Sequence, residues 1–282
     1  MNTFRDVLRK GTRCLRDAGI ENYEREAEWL LELVTGCARA DFYVKPGDPV
    51  LSEQFRHYTQ LLAQRSAHVP LQYVMASVEF FGRSFDVGPG ALIPRPETER
   101  LVEIAVSHYP GYGLACDVCT GTGVIGLTLC LELPVIPLLL AIDISEKALS
   151  YCMRNRTQLN AAAASICQAD LLTATSPAPM FSLITANPPY VDSEAYKDLP
   201  TEIKDHEPPI ALRAGKGGVE VITRLSAQAH RRLTPNGWFI TEIGEDQAGA
   251  VHRQLTCLGF SNVSIVDDYT GRPRIALGCK HA

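Results

Sequence analysis

The residues best suited to chemistry are Asn187-Pro188-Pro189-Tyr190, which close the apolar run Phe181-Ser182-Leu183-Ile184-Thr185-Ala186. The Asn187 side chain offers a carbonyl acceptor, and a proline has no backbone N–H, so a proline carbonyl beside it faces no competing donor. Two such acceptors can hold the two hydrogens of an NH2 group while Tyr190 stacks on its plane. An amide or aryl amine nitrogen is a poor nucleophile because its lone pair is delocalised. Fixing both hydrogens on acceptors aims that lone pair at an electrophile and favours the charge that develops on nitrogen. The plainer alternative is a turn, since Asn-Pro and Pro-Pro are common loop dipeptides.

Upstream, Leu114-Ala115-Cys116-Asp117-Val118 reads as a short buried strand leading into Cys119-Thr120-Gly121-Thr122-Gly123-Val124-Ile125-Gly126 and then a helical pattern. Strand, glycine turn and helix in that order form a nucleotide-binding unit. Gly121 and Gly123 let the backbone pass close to a ligand. The apolar run Val135 to Ile142 ends at Asp143, about 20 residues on, where a carboxylate can bind both ribose hydroxyls. Asp143 also stands where it could cap a helix starting near Ser145.

No Lys-Ser or Lys-Thr follows the last glycine, so the phosphate cradle of an NTPase is absent. A dinucleotide fingerprint wants a third glycine in a fixed frame and leaves Asn187 to Tyr190 without a purpose. S-adenosyl-L-methionine accounts for both motifs, because its sulfonium methyl is an electrophile that an immobilised amine attacks in line and its thioether leaves without acid assistance.

With both motifs placed, the chain resembles the peptide chain release factor glutamine methyltransferases over nearly its whole length. The resemblance is carried by Ile93-Pro94-Arg95-Pro96-Glu97-Thr98-Glu99, the loop from Asp117 to Gly126, Ala141-Ile142-Asp143-Ile144-Ser145, Asp170-Leu171, Asn187 to Tyr190, His206-Glu207-Pro208 and Thr241-Glu242-Ile243-Gly244. The Ile93 to Glu99 segment is the most specific to the family; Asn-Pro-Pro-Tyr is shared with methyltransferases acting on base amines. The resemblance implies a Rossmann-like class I methyltransferase with a seven-stranded, mainly parallel sheet and a small N-terminal helical domain. It implies a glutamine substrate in the Gly-Gly-Gln motif of release factors, with N(5)-methylglutamine and S-adenosyl-L-homocysteine as products. Cys119, Thr120, Gly121, Thr122, Gly123 and Asp143 would hold the cofactor, Leu171 would lie against its adenine, and Asn187, Pro188, Pro189 and Tyr190 would grip the glutamine amide, with Asn187 also close to the cofactor.

Two departures stand out. Cys119 occupies the position of the first glycine in the family's usual Gly-Thr-Gly-Ser-Gly loop, and a side chain there favours a backbone that keeps φ below zero. Gly217-Gly218-Val219-Glu220 is less glycine-rich than the family's form of that bend.

The elements that position these residues follow from length and pattern. At 282 residues the chain has room for about two domains. Helical patterns at Thr3 to Ala18, Tyr23 to Thr35 and Ser52 to Ala67, with Ala27, Leu30, Leu31 and Val34 on one face, predict a small bundle over residues 1–70. Its resemblance-based role is docking of the protein substrate; its plain role is a stabilising cap. Residues 71–96 read as a hairpin linker around Phe80 to Val87, and 97–282 as the cofactor-binding domain. There, strands near 114–118, 138–142, 165–169, 181–186, 237–243, 262–267 and 274–278 alternate with helices, which means a mainly parallel sheet. Cofactor and substrate then meet at the carboxyl ends of the first and fourth of these strands, flanking the switch in strand order. Asp267 to Pro273 is too short for a crossover, so the last two strands form an antiparallel hairpin. Pro96 starts a helix with Glu97 and Glu99 in its first turn, the Ala161 to Ala164 run ends one, and His206 shapes the mouth of the site.

Composition narrows the partners. Net charge is −5 and the sequence pI near 5.8, which disfavours broad, stable binding to nucleic acid, a process that needs basic surface to displace counterions. Residues 1–90 carry 11 Lys and Arg against 12 Asp and Glu, so the first segment is no basic arm either. The nine cysteines show no repeated metal spacing, and Cys116-x-x-Cys119 lacks a second pair, so no metal is expected and reduced buried thiols place the protein in the cytoplasm. Leu131 to Ile144, the longest apolar stretch, is interrupted by Glu132, Pro134, Pro137 and Asp143 and is too short for a bilayer. The Met1 to Asp6 start lacks the apolar core of a signal peptide. The expectation is a monomer acting on release factors; the alternatives are a methyltransferase for an exocyclic base amine of nucleic acid and a cofactor-binding adaptor without activity.

Overall fold

The computed structural model describes residues 2–281. Strands β1 (Leu114–Val118), β2 (Leu139–Asp143), β3 (Ala164–Gln168), β4 (Phe181–Ala186), β5 (Leu233–Glu242), β6 (Phe260–Asp267) and β7 (Pro273–Lys280) make a seven-stranded sheet in the order β6-β7-β5-β4-β1-β2-β3. β1 pairs in parallel with β2 and β4, β2 with β3, and β4 with β5. β7 inserts antiparallel between β5 and β6, the closing hairpin expected from the short Asp267 to Pro273 connection.

Helices on both faces explain why the central strands are buried and mostly apolar: every residue of β4 is buried, Ser182 and Thr185 included. Alternate side chains serve opposite faces. Ala115 and Leu183 join the core with Leu101, Leu127 and Leu139, whereas Cys116, Val118, Ile184 and Ala186 join the one with Leu225, Phe239 and Leu255. Chain order reverses between β1 and β4, so their carboxyl ends flank a crevice that neither crossover helix covers.

Contacts divide the chain into two units, one ending at Ser77 and taking in Pro200–His206, the other comprising Val78–Leu199 and the residues from Glu207 onward. In the first, helices Phe4–Asp17, Tyr23–Thr35 and Ser52–Ser66 bury Val7, Leu15, Ala27, Leu30, Leu31, Tyr58 and Leu62. The Thr3 hydroxyl accepts from the Asp6 N–H at the start of the first helix, and Gly36, at φ 69°, ends the second. Arg65 is buried between Glu26, 2.5 Å away, and Glu202, 2.6 Å away. A buried guanidinium needs such partners.

Several boundaries differ from the sequence reading. Short helices at Arg39–Val44 and Leu71–Met75 carry too few turns to show a periodic face. The 71–96 segment is not a free linker: Val74 packs into the helical unit, while the hairpin Ser77–Phe80 and Arg83–Asp86 buries Phe80 and Phe85 in the core of the sheet unit. Two aromatic rings left in water would forfeit about 2–3 kcal/mol each. The Ala161 to Ala164 run lies beyond its helix, which stops at Gln158; Asn160 turns at φ 55° and Ala164 already pairs in β3. Pro137 falls before β2 begins at Leu139, so it takes no donor from the ladder.

Candidate active site

A cavity of about 230 Å³ opens at the carboxyl ends of β1, β2 and β4. Cys119, Thr120, Gly121, Thr122, Asp143, Leu171, Asn187 and Pro189 line it, together with Thr98, Asp170 and Arg224. Of the residues singled out in the sequence, Gly123, Pro188 and Tyr190 are not among its lining, and neither is His206.

The end beneath β1 and β2 is built from backbone. The Thr120 N–H donates to the Ile142 carbonyl (2.9 Å) and the Gly123 N–H to the Thr120 carbonyl (2.8 Å), which curls the loop over the end of β2. Gly121 and Gly123 sit at φ 58° and 87°, where an L side chain is strained. A Cβ on Gly123 would meet the Cys152 thiol and Leu127. Cys119 also lies in the left-handed region, at φ 59°, contrary to the negative φ expected for it. The reversal that delivers Thr120 to Ile142 demands that conformation whatever the side chain, at a strain of about 1–2 kcal/mol.

Two carboxylates anchor the loop. Asp117, wholly buried, accepts from the Thr120 hydroxyl (2.5 Å), the Thr185 hydroxyl (2.9 Å) and the Gly126 N–H (3.0 Å). Burial raises its pKa to about 6 against the pull of those donors. Asp143 accepts from the Gly121 N–H (2.8 Å) and the Ser145 N–H (2.9 Å), and burial raises its pKa too. The helix cap itself is Ser145, whose hydroxyl accepts from the Ala148 N–H; Asp143 braces the loop and borders the cavity.

The end at β4 is assembled from distant side chains. Asn187 Nδ2 donates to the Thr98 hydroxyl at 3.4 Å, and that hydroxyl donates to Glu242 at 2.7 Å. Tyr190 gives its phenol proton to the other oxygen of Glu242, 3.1 Å away. Burial raises the pKa of both Glu242 and Tyr190. The Tyr190 carbonyl accepts from the Gln247 amide at 2.7 Å, and a Cβ on Gly218, at φ 67°, would run into that same carbonyl. The bend at Gly217-Gly218 therefore keeps the glycine it cannot replace.

Thr122 Oγ1 is buried with no hydrogen-bond partner among the described residues, and Thr122 lines the cavity. Such a group costs about 1–3 kcal/mol unless something pairs with it. Gly121 has open space where a side chain would stand. An orphaned donor, an open glycine, an apolar wall at Leu171 and a carboxylate at Asp143 fit a nucleoside-bearing ligand with a polar tail. Leu171 is itself held at φ 52°, a strained backbone of the kind that clusters at binding sites.

The family model described as "PrmC N-terminal domain" matches residues 6–75, and "Methyltransferase small domain" matches residues 98–203. The release factor glutamine methyltransferase of Koribacter versatilis (strain Ellin345) is 34% identical over 99% of this chain and 99% of its own. That of Neisseria gonorrhoeae (strain ATCC 700825 / FA 1090) is 35% identical over 90% of this chain and 92% of its own. The chain belongs to the release factor glutamine methyltransferase family. A methyltransferase from Pyrococcus furiosus shares the fold, with a TM-score of 0.55 at 17% identity over 82% of this chain and 100% of its own. The chain is thus an enzyme of the methyltransferase class with the seven-stranded sheet expected of it.

For a release factor glutamine methyltransferase, the sequence reading passed over three acids that the tertiary structure brings to the site. Asp117 lies under the glycine loop. Glu207 accepts from Arg95 (2.5 Å) and from the Ile93 N–H (3.1 Å), tying the two family-bearing segments at 93–99 and 206–208 together. Glu242 holds Thr98 and Tyr190. Each stood inside a segment that carried the family resemblance, which was the available signal; their partners, with Arg95 112 residues from Glu207 and Thr98 144 residues from Glu242, were not. Among the described residues no group of His, Cys, Asp and Glu is arranged to hold a metal, and no helix is long and apolar enough to cross a membrane.

Proposed function

We propose that this enzyme transfers a methyl group from S-adenosyl-L-methionine to the side-chain amide nitrogen of the glutamine in the Gly-Gly-Gln motif of peptide chain release factors, giving N(5)-methylglutamine and S-adenosyl-L-homocysteine. The observation that carries this reading is the convergence of the loop at Cys119–Thr122, Asp143 and Asn187 on one cavity at the switch in strand order. Family membership supports the substrate, since the relatives bear its name.

In this reading Cys119, Thr120, Gly121, Thr122 and Gly123 form the cradle, Asp143 takes the ribose hydroxyls and Leu171 walls the adenine. When bound, the cofactor supplies an electrophilic methyl on a sulfonium centre. Asn187 Oδ1 and the Pro188 carbonyl accept the two hydrogens of the glutamine amide, and that grip points the nitrogen lone pair at the methyl. Pro189 borders the cavity, and Tyr190 holds the loop through Glu242 rather than facing the cavity itself. Methylation would make the amide nitrogen more acidic as the thioether leaves, and its proton would pass to water, so no side-chain base is required. The helical unit serves to dock the protein substrate, and the enzyme acts as a cytoplasmic monomer without a metal.

Incubating the protein with S-adenosyl-L-methionine and a bacterial release factor, then digesting and analysing by mass spectrometry, tests the reading. A methyl group on the Gly-Gly-Gln glutamine is the expected result. An unmodified factor alongside a methylated oligonucleotide would replace it with base-amine methylation; no product despite cofactor binding would point to an adaptor.

A further inference from the structure

Thr98 and Glu242 are each 1% exposed, yet they form a polar chain ending on Asn187. Burying such groups is costly unless each is paired. The pairing here has a direction. A carboxylate can only accept, and a threonine hydroxyl has a single proton to give. Thr98 gives it to Glu242 Oε2 at 2.7 Å, while Tyr190 donates to Oε1 at 3.1 Å, so both carboxylate oxygens are engaged from known sides. The Thr98 oxygen is then left only as an acceptor, and the atom of Asn187 beside it must be the donor Nδ2, at 3.4 Å.

We infer that Glu242 and Thr98 are positioning residues that fix which end of the Asn187 amide faces the acceptor substrate, holding Oδ1 toward its NH2 group. The inference rests on the proposed amide methylation. With the Asn187 amide turned over, Nδ2 would meet the substrate NH2 donor to donor, and the grip on the nucleophile would be lost. The same orientation rejects a carboxylate in place of the amide, because Oδ1 and the Pro188 carbonyl would then face oxygens. The remaining charges acting on Glu242 come from Arg274, which favours its ionised form, and Glu97, which opposes it.

The test compares Thr98→Val and Thr98→Ser in the full chain, with Thr98→Ala in place of valine if that variant does not fold. Thr98→Val keeps the shape and removes the hydroxyl. Its turnover on release factor is expected to fall about 10–10²-fold, while the Kd for S-adenosyl-L-homocysteine changes less than about 3-fold. Thr98→Ser restores the hydroxyl and is expected to recover turnover to within about 3-fold of the parent. Full turnover in Thr98→Val, or a loss that serine does not restore, overturns the inference. A second arm needs no substrate: the Asn187 side-chain amide is identified in 15N NMR spectra by its disappearance in Asn187→Ala. Its protons are expected to exchange with solvent faster in Thr98→Val than in the parent, and equal exchange overturns the inference. If the parent chain methylates no glutamine, the proposed function fails, and the NMR arm still decides the role of Thr98.

Discussion

The two ends of the cavity are built in different ways. The end formed by Cys119–Thr122 and Asp143 is mostly local: Asp117, Thr120, Gly126 and Asp143 lie within one strand-loop-helix-strand unit, Thr185 on β4 adds a bond to Asp117, and most bonds run through backbone N–H groups. The Asn187 end draws on Thr98, Gly218, and the stretch that carries Glu242 and Gln247, three segments that only folding brings together. A nucleoside ligand meets the same contacts before and during reaction, so a rigid backbone cradle suits it. In the proposed reaction the Asn187 end selects one lone-pair direction on a nitrogen, which side-chain amides and hydroxyls in a directed chain can specify and a loop of N–H groups cannot.

If the comparison holds, damage to the two ends should read out differently. The largest effect is expected from Asn187→Ala: turnover should fall about 10²–10³-fold with a much smaller loss of cofactor affinity, because the contact is made most strongly as charge develops on nitrogen. Stopped turnover with equally weakened binding of S-adenosyl-L-homocysteine, measured by calorimetry, would erase the distinction between the ends.

Next in size is a pH effect at the cradle. Asp117 has a folded-state pKa raised to about 6 from an ordinary 3.8, so the folded protein binds its proton more tightly than the unfolded chain. Stability therefore drops as pH rises from about 4 to about 6 and stays lower above that, by up to about 2–3 kcal/mol from this group. Asp117→Asn, which can keep the Thr120 and Gly126 bonds on its oxygen, should remove that part of the slope in urea titrations across pH 4–7. Asp268, lowered to about 2 by Thr270, the backbone N–H groups of Arg272 and Thr270, and Arg274, works the other way, losing its contribution only as pH falls toward 2. An unchanged slope in Asp117→Asn would show that the buried carboxylate is not the group responsible.

A smaller effect is expected from Asp143→Ala, a Kd for S-adenosyl-L-homocysteine weakened about 10-fold or more with turnover at saturating cofactor within a few-fold of normal. A turnover defect alone would contradict a binding role. The smallest is Cys119→Gly, which should gain about 1 kcal/mol by releasing a left-handed residue, visible as a higher urea midpoint; a loss would mean that packing of the thiol outweighs the backbone strain.

Much of this architecture was legible because it depends on short-range patterns. Strands β1 and β4 were marked by short, mostly apolar runs broken only by Asp117, Ser182 and Thr185, and the closing hairpin by a connection too short for a helix. The helix Tyr23–Thr35 was marked by Ala27, Leu30 and Leu31 on one face. The glycine loop and Asp143 announced themselves by spacing. Short helices at Arg39–Val44 and Leu71–Met75 did not, having too few turns to build a periodic face; the hairpin around Phe80 and Phe85 was legible as a hairpin, but its burial in the sheet unit was not, because its packing partners lie elsewhere in the chain.

By itself, then, the sequence determined the alternation of strands and helices, the loop at Cys119–Gly123, the acid at Asp143 and the chemistry available to Asn187, because each of these is set by residue types within a few positions of one another. Only the tertiary structure decided that Cys119 turns left-handed, that Tyr190 faces Glu242 rather than the cavity, and that Glu242 and Thr98 hold Asn187. Those outcomes depend on hydrogen bonds between groups brought together by the sheet order, and a bond across 144 residues leaves no local trace in either of the segments that make it.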